Sequence, residues 1–191
     1  MSKIVKLDMS DFITKRNLLQ NPLNLNTDFW IKYKSRIDTN IDLTPCNTRT
    51  ADKLCEDNTH GIHGVIGKFD NNLDKPKIQV FTGIAYLKLA EREFCRYYLA
   101  DGQQLSCVTG VINLRSGEIT KTNSVGFEKH SFISVNIGNG WWKIKITAQI
   151  DKIRPGITWM LQTAKSEDTY QYIGDDNSGI YIWGVQLIKN T

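Results

Sequence analysis

Apolar residues at three- and four-residue spacing are scarce along this chain, so amphipathic helices are not expected. No apolar run approaches the roughly 20 residues of a membrane-spanning helix. The opening MSKIVKLDMSDF lacks the continuous apolar stretch of a signal peptide, which sets the expectation of a chain made and assembled in the cytosol. Four prolines in 191 residues, none central to an apolar run, leave the strands uninterrupted. The 24 basic and 20 acidic residues are scattered without a Lys/Arg block, so the net charge of +4 does not argue for a nucleic-acid partner. Four cysteines, Cys46, Cys55, Cys95 and Cys107, form no CxxC pair and no regular framework. Reduced thiols are the default outside a secretory route. Cys95 lies in an apolar run and reads as a small buried hydrophobe, while a Cys46–Cys55 bridge across a loop stays an open alternative.

Catalytic signatures are equally thin. There is no nucleophile elbow of GxSxG type and no Gly-rich phosphate loop. His60 and His63 fall in THGIHG, flanked by glycines, which reads as a loop or strand edge. In a strand, positions three apart point to opposite faces and cannot share one metal, so hydrogen-bonded histidines are expected there. His130 stands beside Glu128 and Lys129 in a polar hairpin. Asp175 and Asp176 are neighbours in a turn, and Glu91 and Glu93 alternate. Paired acids serve glycoside hydrolysis only when they flank a cleft. No catalytic residue, metal ligand or cofactor is nominated, and the chain is read as non-enzymatic.

What the sequence does have is short alternating apolar runs split by turn residues, the spacing of an all-β sandwich. Strands are expected at Lys77 to Lys88, Phe94 to Ala100, Ser106 to Asn113, Phe132 to Ile137, Trp142 to Ile150, Thr158 to Thr163 and Ile180 to Ile188. Between them lie DNNLDKP, ADGQQ, LRSGE, NIGNG, IRPG and GDDNSG, rich in residues that tolerate positive φ or bond their own backbone. Glu91, Arg92 and Glu93 read as a hairpin tip, and TADKLCE (Thr50 to Glu56) as the one helical turn. In the closing strand, strict alternation puts Tyr181, Trp183, Val185 and Leu187 on one continuous apolar ribbon over a core. An apolar fraction of 40% suffices for a real core, so one domain is expected over 17–191, with 1–16 as an arm or a frayed terminus.

Five tryptophans and seven tyrosines make aromatic platforms the leading functional feature, because a flat ring stacks on the apolar face of a sugar. The candidate rings are Trp30, Tyr97, Tyr98, Trp141, Trp142, Trp159, Tyr170, Tyr172, Tyr181 and Trp183. Parity with Ile144 and Ile146 puts Trp142 in the core and leaves Trp141 outward; the same logic puts Trp183 in the core. Tyr97 and Tyr98 stay ambiguous. The nominated glycan-binding residues are Trp141, Tyr98, Tyr97 and Trp159.

Several pieces, in order, carry a resemblance. Asn17-Leu18-Leu19 opens the series, followed by Asp28-Phe29-Trp30 with Lys32, then Thr50-Ala51-Asp52-Lys53-Leu54 with Glu56, and His63 beyond. FTGIAYLKLAEREFCRYYLAD (Phe81 to Asp101), VINLRSGEI (Val111 to Ile119), NGWWKIKIT (Asn139 to Thr147) and YIGDDNSGIYIWGVQL complete it. Together they resemble the carbohydrate-binding-module-like jelly-roll domains of bacteriophage tail fibres, tail spikes and other virion proteins, from about residue 17 to the end. The resemblance implies a two-sheet antiparallel jelly roll and a role in a virion assembled in the host cytoplasm. Implied partners are other virion proteins, copies of the same chain (a trimer foremost) and host cell-surface glycan. Carbohydrate-binding jelly rolls often hold a structural calcium with acids near both chain ends. Here Trp183-Gly184 stands where those acids would be, so no metal is expected.

The reading is therefore a small tail or head-surface decoration protein, anchored through residues 1–16 and presenting a jelly roll, with host surface glycan as the expected ligand. The alternatives are a polysaccharide-processing enzyme and a secreted glycan-binding module.

Overall fold

Alternating apolar runs need a partner surface on one side, and here two sheets provide it for each other. The computed structural model describes residues 17–69, 79–127, 129–150 and 156–190. One sheet has the spatial order β1 (Ile31–Tyr33), β5 (Gly64–Phe69), β12 (Ile157–Ala164), β7 (Phe94–Asp101), β8 (Cys107–Asn113) and β9 (Ile119–Val125). The other has the order β10 (His130–Gly138), β11 (Trp141–Ile150), β6 (Gln79–Leu89), β14 (Gly179–Asn190), β3 (Ala51–Glu56) and β2 (Ser35–Asp42). A small ladder joins β4 (His60–Gly61) to β13 (Tyr172–Ile173). Every strand pairing is antiparallel, and the chain repeatedly crosses between the sheets, giving a jelly-roll β-sandwich with no helix among the described residues. The seven strands expected from the sequence all form, with ends shifted by at most two residues.

The core lies between the sheets. Trp30 and Tyr97 each meet Trp159 edge-on, with ring centroids 5.5 and 5.4 Å away. Leu54, Phe81, Leu99, Ile112, Ile144, Ile146, Leu161, Ile180 and Val185 pack around them. Trp142 points inward as parity requires, and its Nε1 donates to the Leu114 carbonyl at 3.0 Å.

Three local expectations are corrected. TADKLCE is strand β3, not a helical turn: its good helix formers are overridden because it pairs with β2 on one side and β14 on the other, fully buried. Glu91 to Glu93 is no hairpin tip, since β6 and β7 belong to different sheets and the segment crosses between them. The closing ribbon is split. Ile180 and Ile182 face the core, the register shifts between Trp183 and Gln186, and Val185 and Leu187 then face the same core. Gly184, at φ 57°, supplies the left-handed turn of this bulge, and one extra residue inverts the parity. Tyr181 and Trp183 therefore face the opposite side. No disulfide joins any of the four cysteines, so the Cys46–Cys55 bridge is not made. The Cys55 thiol, pushed up to about 12 by burial and by Asp38, donates to Asp38 Oδ2 at 3.2 Å.

Beyond Ile182, β14 outruns β3, and residues 17–22 take its place. Asn17 bridges Ile188, the Leu18 amide donates to the Leu187 carbonyl at 2.8 Å, and the Val185 amide donates to the Pro22 carbonyl at 3.1 Å. The expected arm, 1–16, lies outside the described residues, as does Glu128.

Candidate functional site

The outer faces of the two sheets differ. On the sheet containing β6, Trp141, Tyr86, Ile84, Ala51 and Trp183 form a second buried cluster, covered by Leu23, Cys46, Ile137, Tyr181 and Ile188. Trp141 is 0% exposed; its Nε1 donates to the Leu43 carbonyl at 3.0 Å and Lys88 Nζ lies 5.9 Å above its ring. It does face outward, as parity predicts, but loop residues close over it, so it offers no face to a sugar.

Tyr97 and Trp159 are corrected likewise. Both point between the sheets, where Trp159 Nε1 donates to Tyr97 Oη at 2.5 Å. The same alternation that buries Tyr97 turns Arg96 and Tyr98 outward. Of the four nominated residues, Tyr98 alone reaches the open surface of the sheet containing β7.

That surface is set by register. Tyr98 lies between Met160 and Thr109, and Arg96 between Gln162 and Val111. Beyond them stand Asn123 and Lys121 on β9, and Ile66 and Tyr33 toward β1. Two loops wall the surface into grooves. In the 101–106 turn, the Asp101 carboxylate accepts the amides of Gln103, Leu105 and Ser106 at 2.9, 3.2 and 2.8 Å, which sets Gln104 on the rim. The 165–171 loop closes on itself through Lys165 N donating to Thr169 O at 2.8 Å, and Asp168 pairs with Lys121 across the groove.

The smaller groove, about 290 Å³, is mainly apolar, lined by Tyr33, Ile62, Ile66 and Met160 with Gln104 and Gln162. Gln162 is 2% exposed; its Nε2 lies 2.6 Å from Met160 Sδ, and its Oε1 has no hydrogen-bond partner among the described residues. The larger, about 450 Å³, is polar: Arg96, Thr109, Asn123 and Lys121 form its base, with Glu167, Asp168 and Tyr170 at its rim. The Arg96 guanidinium carbon sits 4.3 Å from the Tyr170 ring centre and 5.5 Å from that of Tyr98. Burial pushes the Tyr98 hydroxyl up, and the neighbouring Cys107 adds to the shift, so it stays protonated and able to donate. Glu167 and Asp168 are neighbours on one loop and do not face each other across the groove as an acid/base pair would.

A second polar cluster closes one end of the sandwich. Glu56, 0% exposed, accepts from Arg92 Nε at 2.9 Å, Tyr172 Oη at 2.7 Å and the Asp175 amide at 3.1 Å. His63 is buried there, its Nδ1 2.7 Å from the Lys34 carbonyl and its Nε2 3.1 Å from that of Tyr172. Asp175 accepts from the Asn177 and Ser178 amides, and Asp176 pairs with Arg36 at 3.1 Å. These groups are consumed by one another, as turn chemistry and a hydrogen-bonded histidine predicted. Among the described residues no three His, Cys, Asp or Glu side chains converge as a metal cage.

Sequence reasoning missed Tyr33, Arg96 and Gln162. Arg96 was legible, being two residues from Tyr98 on a strand. Tyr33 lies on a three-residue strand too short to show alternation.

The class these observations define is a two-sheet antiparallel β-sandwich with one open outer face. No protein-family model matches the chain, and no curated protein matches it. Among solved structures it is similar to TmCBM27, a carbohydrate-binding module described for specific mannan recognition. The identity is 10% and the TM-score 0.43, over 93% of this chain and 97% of that one. At that distance the likeness carries no functional argument, and the fold description rests on the strand pairing above.

Proposed function

We propose that this protein is a non-catalytic glycan-binding β-sandwich whose binding surface is the outer face of the sheet containing β7. The observation that carries the reading is the larger groove, where Arg96 lies over the Tyr170 ring beside hydroxyl and amide side chains, with Tyr98 next to it on β7 at the groove's margin. Ring faces take up the apolar side of a sugar while side-chain amides, hydroxyls and guanidinium N–H groups meet its hydroxyls. The setting is a bacteriophage virion, with the chain as a small tail or head-surface protein. This part is supported by the sequence resemblance, as are anchoring through residues 1–16 and assembly into a homo-oligomer, a trimer foremost.

Binding to an array of bacterial surface glycans tests the reading. Tyr98→Ala and Tyr170→Ala should each weaken binding about tenfold or more, with the fold intact. Trp141→Ala should instead unfold the protein more easily, by about 3–5 kcal/mol, because it empties a closed cluster. Unchanged binding in both tyrosine variants would remove the groove as the site. Light scattering on the intact chain and on one lacking residues 1–16 tests the assembly: an oligomer that dissociates on truncation is expected, and two monomers would refute the arm.

A further inference from the structure

Arg96 holds a charge that nothing else in the larger groove uses. Its guanidinium carbon lies over the rings of Tyr170 and Tyr98, 4.3 and 5.5 Å from their centres. A guanidinium carries its five N–H donors in its plane, where ring faces do not reach. Among the described residues no hydrogen bond or ion pair takes up those donors. Of the two acids on the rim, Asp168 is already held by Lys121, and Glu167 is exposed, where water screens it.

We infer that the larger groove recognises an acidic sugar, with Arg96 receiving the carboxylate of a uronic or sialic acid residue. A planar guanidinium held against the Tyr170 ring matches a carboxylate with two parallel N–H···O bonds, a geometry that a neutral hydroxyl cannot reproduce. Holding the fork in place beforehand removes the ordering cost of a free arginine. Thr109 and Asn123, whose side chains make no hydrogen bond to another described residue, lie along the groove for the ring hydroxyls. The inference rests on the reading of this face as the glycan-binding surface.

The intact chain is tested against bacterial polysaccharides bearing uronate or sialate, each beside its carboxyl-reduced form. Wild-type protein should bind the acidic form at least about tenfold more tightly, with the preference shrinking as salt rises. Arg96→Gln should weaken acidic binding far more than binding of the reduced form, so that the preference between the two disappears; Arg96→Lys, which keeps charge without the fork, should retain part of it. Equal binding of the two forms by wild-type protein overturns the inference without needing any variant, as does a full preference in Arg96→Gln. Neutral glycans bound and then lost in Tyr98→Ala, with no acidic preference, would leave the glycan reading standing while the carboxylate falls. Failure to bind any polysaccharide, acidic or reduced, would overturn both.

Discussion

Replacing Glu56 by alanine removes the anion that joins β3, the crossover between β6 and β7, strand β13 and the closing turn. The carboxylate is wholly buried and accepts from the Arg92 guanidinium, the Tyr172 hydroxyl and the Asp175 amide. Breaking a buried ion pair from one side costs about 3–5 kcal/mol, because the remaining charge keeps its desolvation penalty. Arg92 retains Asp175 at 3.2 Å and its side chain is 17% exposed, which places Glu56→Ala near the lower end, about 3 kcal/mol. Tyr172 loses less, since its hydroxyl also meets Thr163 Oγ1 at 2.7 Å. For a chain of this size each kcal/mol moves the melting point about 2–4 °C, so a fall of about 6–12 °C is expected. Glu56→Gln keeps the shape but loses the charge, and should cost about 1–2 kcal/mol. Urea unfolding with an unchanged slope reads these values, and the double variant with Arg92→Ala should be less destabilised than the sum of the singles. A Glu56→Ala cost below about 1 kcal/mol, or strict additivity with Arg92→Ala, would refute the reasoning.

Two further outcomes follow from the turns. The Ser178 hydroxyl and amide, the Asn177 amide and Arg92 hold the Asp175 carboxyl down to about 2, below its usual range. A depressed carboxyl contributes stability above its unfolded value, about 3.9, and loses it as pH falls toward the folded one. Stability should therefore decline between about pH 4 and pH 2, with a shallower acid limb in Asp175→Asn measured by urea midpoint against pH; identical limbs would exclude this role. Gly117, at φ 74°, leaves no room for a side chain, since a Cβ there would lie 2.1 Å from Trp142 Cε3. Gly117→Ala should cost about 1–3 kcal/mol, displace Trp142 from the Leu114 carbonyl and red-shift its fluorescence. An unchanged emission spectrum would contradict that contact.

Period-two alternation made most of the sandwich legible. Phe94 to Ala100 and Trp142 to Ile150 announce themselves because each buries one face and wets the other. Strand β3 did not show, since burial of all six residues erases the alternation, and it even carries helix-forming residues. Of the nominated site, Tyr98 reaches the open surface, while Tyr97, Trp159 and Trp141 are closed off. Tyr97 and Trp159 follow from parity once one inward residue of each strand is known. Trp141 could not be read that way, because Leu23 and Cys46, which pack against its cluster, and Leu43, whose carbonyl takes its indole N–H, lie about a hundred positions away.

The sequence by itself determined that this chain is a β-sandwich, where its main strands lie and which turns end them, because those properties follow from neighbours two or three positions apart. Tertiary structure alone decided which outer face stays open, that Trp183 faces away from the inter-sheet core, and that Arg96 lies over the rings of Tyr98 and Tyr170. Each depends on a bulge, a crossover or a loop that brings distant residues together, and no local pattern encodes that distance.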